Sequence, residues 1–357
     1  MHIHSPTGSH TRRSVMSALM KPLASSVWVS MEKEDGMQHR RFGTSGLTVS
    51  LVGVGCNNFG TRVDRDGVKN IVHRALDLGI TLFDTADIYG PSSPMVKSVF
   101  SEYSETLLGA ALAGRRNDAV IETKCGMQND REGRLRGGSR RHILSAVEAS
   151  LTRLRTDWID VLYMHAPDPD TPIEESLRAL DDLVHQGKVR YTASSNFAAW
   201  QIVEAHYTAR QLDMAGFIGC QNEYNLIERG AERELLPALR NCGLGLVPFF
   251  PLASGLLTGK YREDAMPKGA RITEGAWFAE HHGLDRNWGK VEALRAFCEA
   301  RGRTLTELAF SWLAAQPQVC SIIAGVTRME QLEQNARAAD WALTQAELDE
   351  VDRITAG

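Results

Sequence analysis

From Leu51 onward, short apolar runs alternate along the chain with segments whose apolar positions recur every three or four residues. The runs are LVGVGC from Leu51, TLFDTA from Thr81, AVIETKCG from Ala119, DVLYMHAP from Asp160, VRYTASSN from Val189, FIGCQNEYN from Phe217, GLVPFFPL from Gly245 and SIIAGV from Ser321. Each is continuous rather than alternating, as expected of a parallel strand buried on both faces. The first six intervals between them are each long enough for one helix, since a strand–helix unit needs roughly 30 residues. Ile143, Val147, Leu151 and Leu154, and again Leu177, Leu180, Leu183 and Val184, mark the buried stripes of two such helices. The last interval is much longer. It predicts a loop through Gly259, Pro267, Gly269, Gly275, Gly283 and Gly289, then helices around Val291 to Ala300 and Thr304 to Ala315. An irregular segment of that length in a barrel is usually functional.

Ahead of the first run, HRRFGTSGLTVS has the form of a β-hairpin with its turn at Thr44 to Gly46. Eight strands alternating with helices after such a hairpin predict an α/β fold of the (β/α)8 barrel type, one domain over residues 38–357. A doubly wound sheet is the alternative. Its glycine-rich phosphate fingerprint is missing after the first strand, where Asn57-Asn58-Phe59-Gly60 stands instead.

Residues 1–37 have no sustained period and are expected to be a variable extension outside the fold. Arg12-Arg13 precedes an apolar stretch from Val15 to Met20, but Lys21 and Pro22 end it at six residues. An export signal needs about 7 to 15.

Composition narrows the function classes. The chain has 357 residues, 43% of them hydrophobic and 24% charged, with a formal charge of −4. That suits a globular enzyme with a large core. It offers no basic footprint for nucleic acid, and no run of 18 apolar residues is present to span a membrane. Cys56, Cys125, Cys220, Cys242, Cys298 and Cys320 show no short paired spacing. Neither a metal site nor a disulfide scaffold is therefore expected, and a reducing cytoplasm fits best.

In a barrel of this kind chemistry sits at the carboxyl ends of the strands. Asp84 closes the second run, with Tyr89 in the loop after it; Lys124 closes the third and His165 the fourth. Singly, each has an ordinary role as a helix cap, packing residue, surface cation or core histidine. Together they stand at equivalent rim positions of adjacent strands, and a buried lysine there needs a partner such as Asp84.

These residues carry a resemblance. FDTADIYG with SETLLG, ETKCG, DWIDVLYMHAPDP, RYTASSNF, QNEYNLIERGAERELLP, PLASGLLTGKYR and IAGVTRMEQLEQN are similar, in order and separation, to the blocks of the aldo-keto reductases. The branch resembled is that of the potassium-channel β subunits and related bacterial enzymes, over nearly all of residues 40–343. The resemblance implies a (β/α)8 barrel, NADPH as cofactor, and reduction of an aldehyde or ketone to an alcohol. It places the catalytic tetrad on Asp84, Tyr89, Lys124 and His165. Chemically, the oxygen of a carbonyl receiving a hydride needs a positioned proton donor, and an adjacent ammonium lowers a phenol's pKa. Asp84 would hold Lys124, and a neutral His165 would polarise the carbonyl.

The same resemblance sets Ser195, Asn196 and Gln221 against the nicotinamide carboxamide. Phe249 replaces the usual Tyr or Trp stacked on the ring, and stacking survives without the hydroxyl. Phe250 replaces a Ser and removes one side-chain contact to the pyrophosphate. Backbone amides around Leu252, Ser254 and Leu256, with Lys260, remain to cradle the phosphates. Gly325, Thr327, Arg328, Gln331, Gln334 and Asn335 align with the adenosine and 2′-phosphate grip, with Arg328 the leading phosphate ligand or, failing it, Thr327 and Gln331. An insert over residues 91–103 follows Tyr89 directly. It is either a solvated bulge, the commoner fate of insertions, or a wall that brings Met95 and Phe100 to an apolar substrate pocket with Phe59, Trp277, Phe278 and Trp288 from other loops.

The partner expected is a small carbonyl compound; oligomeric state is left open. Two rivals stand beside the enzyme. One is an NADPH-binding regulatory module like the channel β subunits, whose branch generally has Asn where this chain has His165. The other is a barrel enzyme that uses no nicotinamide, which the adenosine-grip block disfavours.

Overall fold

A computed structural model describes residues 31–34, 36–90, 102–127, 136–261, 276–282 and 284–356. The expected extension therefore lies outside the described residues up to position 30, as does the insert up to position 101. All eight apolar runs are strands of one parallel sheet: β4 Val52–Gly55, β5 Leu82–Asp84, β6 Val120–Cys125, β7 Ile159–Met164, β8 Val189–Ser195, β9 Phe217–Gln221, β10 Gly245–Leu246 and β11 Ile322–Gly325. Their order is β10-β9-β8-β7-β6-β5-β4-β11, sequential except that the last strand returns beside the first. A parallel bridge between Leu246 and Val319 joins the two edges into a barrel.

Three antiparallel strands precede the barrel: β1 Met31–Glu34, β2 Met37–Arg41 and β3 Thr48–Ser50. β2 and β3 are the expected hairpin, and β1 adds a third strand before it. Arg40 ties the hairpin down by donating to the carbonyls of Val319 and Ala314 at 3.0 and 2.6 Å. Phe42 and Val49 thereby plug the floor of the barrel, packing with Leu82, Val161, Tyr163, Ala193, Val247, Cys320 and Ile323 in one buried cluster.

A second, larger core lies between the sheet and the helices. It receives the expected stripes. Ile143, Val147, Leu151 and Leu154 are buried on the helix Arg140–Leu154, and Leu177, Leu180 and Leu183 on the helix Ile173–His185, with Val184 partly buried beside them. Asp64 and Ser139 accept from backbone amides of the first turns they precede, which is why the helices Arg65–Asp77 and Arg140–Leu154 start where they do.

The long interval before β11 departs from expectation. A helix spans Leu284–Glu299 and runs straight through Gly289, where a loop was expected; a shorter one precedes it at Ala276–His281. Burial of Val291, Leu294, Phe297 and Cys298, with Trp288 packed on the core, outweighs the roughly 1 kcal/mol that an interior glycine costs. β10 is likewise shorter than its apolar run, since Pro248 has no amide to donate to a ladder. No helix among the described residues is long and apolar enough to cross a membrane.

Candidate active site

The strand period of two builds the site. Leu82, Tyr163, Ala193, Val247 and Ile323 point into the barrel floor. Two residues further along, at or just past the strand ends, stand Asp84, His165, Ser195, Phe249 and Gly325. Glu122, whose Oε1 accepts from the Tyr163 hydroxyl at 2.9 Å, belongs to the inner face as well, which puts Lys124 on it. The candidates at the strand ends thus form one layer of the barrel, with Tyr89 added from the loop after Asp84.

Within that layer Lys124 is buried and its Nζ donates to Asp84 Oδ1 at 2.6 Å and to the Thr85 carbonyl at 2.8 Å. Gln221 Nε2 donates to the same Asp84 oxygen at 2.8 Å. The expected carboxamide ligand therefore also braces the ion pair, a link the sequence did not show. Burial alone would depress the Lys124 pKa, but the Asp84 charge and hydrogen bond win and raise it, so the ammonium is permanent.

The ammonium sits 5.1 Å from the centroid of the Tyr89 ring. It lowers the phenol's pKa, as expected. Burial is the larger effect, however, and the net shift is upward from the ordinary tyrosine value. The phenol is therefore fully protonated at neutral pH, and the benefit of Lys124 falls on the phenolate that remains once the proton has left. The ring of His165 meets that of Tyr89 edge-on, with centroids 6.1 Å apart. Burial, then the nearby Lys124 charge, hold its pKa well below the usual histidine range, and its Nδ1 is buried with no hydrogen-bond partner. It is a neutral imidazole.

Around this centre, Ser195 and Gln221 are buried, whereas Asn196 is exposed, takes a left-handed backbone (φ 61°) and donates to the His165 carbonyl at 2.9 Å. Phe249 and Phe250 meet edge to face at 5.2 Å. The chain then passes through Leu252 into a tight segment, Ala253–Thr258, where Ala253, Ser254 and Gly255 all have positive φ, as does Phe250 before it. Three non-glycine residues held left-handed so close together store backbone strain, a feature that clusters at ligand cradles. A Cβ at Gly255 would stand 3.1 Å from Lys260 Nζ, so the lysine folds back over the loop. Arg295, not anticipated, holds the loop's far end by donating to the Gly259 and Tyr261 carbonyls at 3.1 and 2.9 Å.

Across the seam, Gly325 ends β11, and a Cβ there would press on the Asn58 amide at 2.9 Å and Asn57 Oδ1 at 3.2 Å. Gln331 Oε1 accepts from both the amide and the hydroxyl of Thr327, at 2.9 and 3.0 Å. Arg328 is exposed at the start of helix Met329–Ala338 and forms no side-chain cap to it. In that helix Gln334 is exposed and Asn335 buried.

The expected substrate walls fare unevenly. Phe59 is completely buried in the core between sheet and helices and lines no open wall, because the turn after β4 folds back through the Phe59–Val63 bridge. Trp288 likewise packs against that core. Trp277 is exposed and stacks on His281; Phe278 belongs to the same helix. Met95 and Phe100 lie outside the described residues.

A parallel-stranded barrel with a buried Lys–Asp pair, a tyrosine and a neutral histidine at its mouth is the candidate site of this chain. The family model described as the aldo/keto reductase family matches residues 51–356, and the chain belongs to that family. It is 38% identical over 331 residues to a probable voltage-gated potassium channel β subunit of Arabidopsis thaliana, covering 89% of this chain and 96% of that one. It is 36% identical over 313 residues to the uncharacterized oxidoreductase YrpG of Bacillus subtilis, covering 86% and 92%. With the L-glyceraldehyde 3-phosphate reductase of Escherichia coli K12 it shares 32% over 338 residues, covering 92% and 95%. Nicotinamide-dependent carbonyl oxidoreduction is the chemistry of this family.

Proposed function

We propose that residues 38–357 form one catalytic domain that reduces an aldehyde or ketone to the alcohol with NADPH, Tyr89 being the proton donor. The observation that carries this reading is the buried Lys124–Asp84 pair with the Tyr89 ring beside it. A bound nicotinamide supplies the hydride. The chain's own residues do the rest. His165, neutral and edge-on to Tyr89, directs the carbonyl oxygen toward the phenol. Tyr89 releases its proton to that oxygen as negative charge develops there, and Lys124 stabilises the phenolate left behind. Asp84 keeps the ammonium oriented, and Gln221 keeps Asp84 oriented.

The donor set also suits the cofactor. Ser195, Asn196 and Gln221 offer amide and hydroxyl groups for a carboxamide. The strained run around Ser254, with Lys260 folded over it, suits phosphates. Arg328 is our 2′-phosphate ligand, because Gln331 is already engaged with Thr327. A small carbonyl compound is the substrate class, in keeping with the name of the Escherichia coli relative. A reducing cytoplasm is the proposed location, in keeping with six buried, unpaired cysteines. A purely regulatory NADPH-binding role, suggested by the channel β relatives, is the second reading, and the complete tetrad argues for turnover instead.

NADPH oxidation against aliphatic, aromatic and dicarbonyl compounds tests the proposal. Tyr89→Phe should slow turnover by on the order of 10²- to 10⁴-fold while NADPH still binds. NADPH binding with no carbonyl reduced faster by the wild type than by Tyr89→Phe would remove the enzyme reading.

A further inference from the structure

The mouth of the barrel holds a second cluster that the proposed carbonyl chemistry does not use. Glu223 lies two residues past Gln221, and its carboxylate meets His281 and His282 at the end of the short helix. The ligand atoms of these three side chains all lie within 4.8 Å of one another. His281 Nε2 is 2.6 Å from Glu223 Oε2, and His282 Nδ1 is 3.5 Å from Glu223 Oε1, which has no hydrogen-bond partner. Both rings are fixed from outside the cluster. His282 is buried with its Nε2 3.0 Å from Ser254 Oγ, and the Trp277 ring stacks on His281 with centroids 4.5 Å apart and planes 10° from parallel.

We propose that Glu223, His281 and His282 bind a divalent transition metal of the zinc class, which pins the helix Ala276–His281 to the loop carrying Ser254. Two imidazoles and one carboxylate are a donor set that zinc accepts, with a fourth position open to water. Metal–ligand bonds of about 2.0 to 2.2 Å in a tetrahedron set neighbouring ligand atoms roughly 3.4 Å apart. The separation of His282 Nδ1 and Glu223 Oε1 already matches. The His281–Glu223 hydrogen bond is shorter than that, so the metal displaces its proton to bulk water, Glu223 ligates through Oε1, and His281 moves by on the order of 1 Å. His282, ligating through Nδ1, keeps its other nitrogen on the Ser254 hydroxyl, the outer hydrogen bond that metal-bound histidines characteristically make. Without metal, burial pushes the Glu223 carboxyl up and the contact with His281 opposes it. A divalent cation offsets what burial costs that carboxylate. The site itself rests on no part of the NADPH reading; only the consequence for the Ser254 loop does.

Equilibrium dialysis of the full chain against Zn²⁺, followed by metal analysis, is the first test, with about one ion retained per chain expected. His281→Ala and Glu223→Gln should each weaken retention at least tenfold. Co²⁺ in place of Zn²⁺ should give the intense visible bands of a tetrahedral nitrogen–oxygen site in the wild type, a readout that needs no variant to fold. Retention of Zn²⁺ equal in wild type and in the His281→Ala, His282→Ala double variant, a purely octahedral Co²⁺ spectrum, or thiolate charge-transfer bands from the cysteines would each overturn the assignment. Carbonyl reduction enters none of these measurements.

Discussion

At the floor of the barrel, Phe42 and Val49 from the hairpin close over Leu82, Val161, Ala193 and Ile323, and the packing there is almost wholly apolar. Nearer the carboxyl ends of the barrel strands, at the mouth, stand Asp84, Lys124, His165, Ser195 and Gln221, equally buried and all polar. Apolar groups at the floor stabilise singly, each by the area it takes out of water. Polar groups at the mouth are tolerated only as a set, because each buried charge needs its partner. Stability and chemistry should therefore be separable by a short step along the strands.

The largest effect should come from Lys124→Met, which attacks the mouth as a set. Turnover should fall on the order of 10³-fold or more, and stability by about 3 to 5 kcal/mol, since buried Asp84 loses its cationic partner and keeps the neutral donor Gln221. Adding Asp84→Asn should restore most of the stability and none of the turnover. Denaturation and steady-state kinetics on both variants measure this, and a single variant as stable as wild type would show the set is not interdependent. Phe42→Ala attacks the floor. It should cost about 3 to 5 kcal/mol while turnover per folded molecule stays within about twofold. A parallel collapse of turnover would erase the distinction between the two layers.

A smaller effect belongs to the rim, where charge is exposed. Arg328→Ala should weaken NADPH about ten- to a hundredfold, barely change NADH, and lose part of that difference as salt rises. Equal losses for both nucleotides, measured by titration at low and moderate salt, would take the 2′-phosphate away from Arg328. The smallest effect lies at the boundary between the layers. Burial and then the Asp84 charge push the Glu122 carboxyl up from 4.5 to about 8. Between those values the unfolded chain loses this proton while the folded chain keeps it, so stability falls as pH rises across that window and levels off above it. Glu122→Gln should therefore gain on the wild type from pH 6 to 8, by about 2 kcal/mol or a few degrees in Tm. A melting series at several pH values in which the two proteins stay parallel would show that Glu122 is not held protonated.

The barrel was legible because strands buried on both faces are continuous in the sequence: Val161, Leu162, Tyr163 and Met164 are all buried, and no polar position interrupts them. Asp84, Lys124 and His165 stood out as candidates because each closes such a run, and Tyr89 because it follows Asp84 in the next loop. Where the rule failed, a local cue competed with tertiary packing. Gly289 suggested loop, but Val291 and Leu294 carry the helix. Met31–Glu34, reading MEKE, has no apolar alternation because an edge strand is held by main-chain pairing with β2. Phe59 looked like a pocket wall only for want of its burial. The Glu223–His281–His282 cluster and the Arg295 brace were illegible, since their partners lie 58 and 36 or fewer residues away and meet only through the folded loop.

Among the described residues the two edges of the sheet meet at one bridge, Leu246 with Val319, carried by the hydrogen bonds from the Leu246 amide to Gln318 and from the Cys320 amide to Leu246. Amides in so narrow a seam exchange with solvent by local opening, well below the free energy of global unfolding. The loops proposed to hold the two halves of the dinucleotide leave from opposite sides of it, one ending at Lys260 and the other starting at Gly325. A ligand touching both binds the closed ring and not the opened one, so at a hundredfold excess over its Kd it deepens the protection of those amides by about 2.7 kcal/mol. On that proposal the dinucleotide is a clasp on the ring, and its departure leaves the ring closer to parting at Leu246.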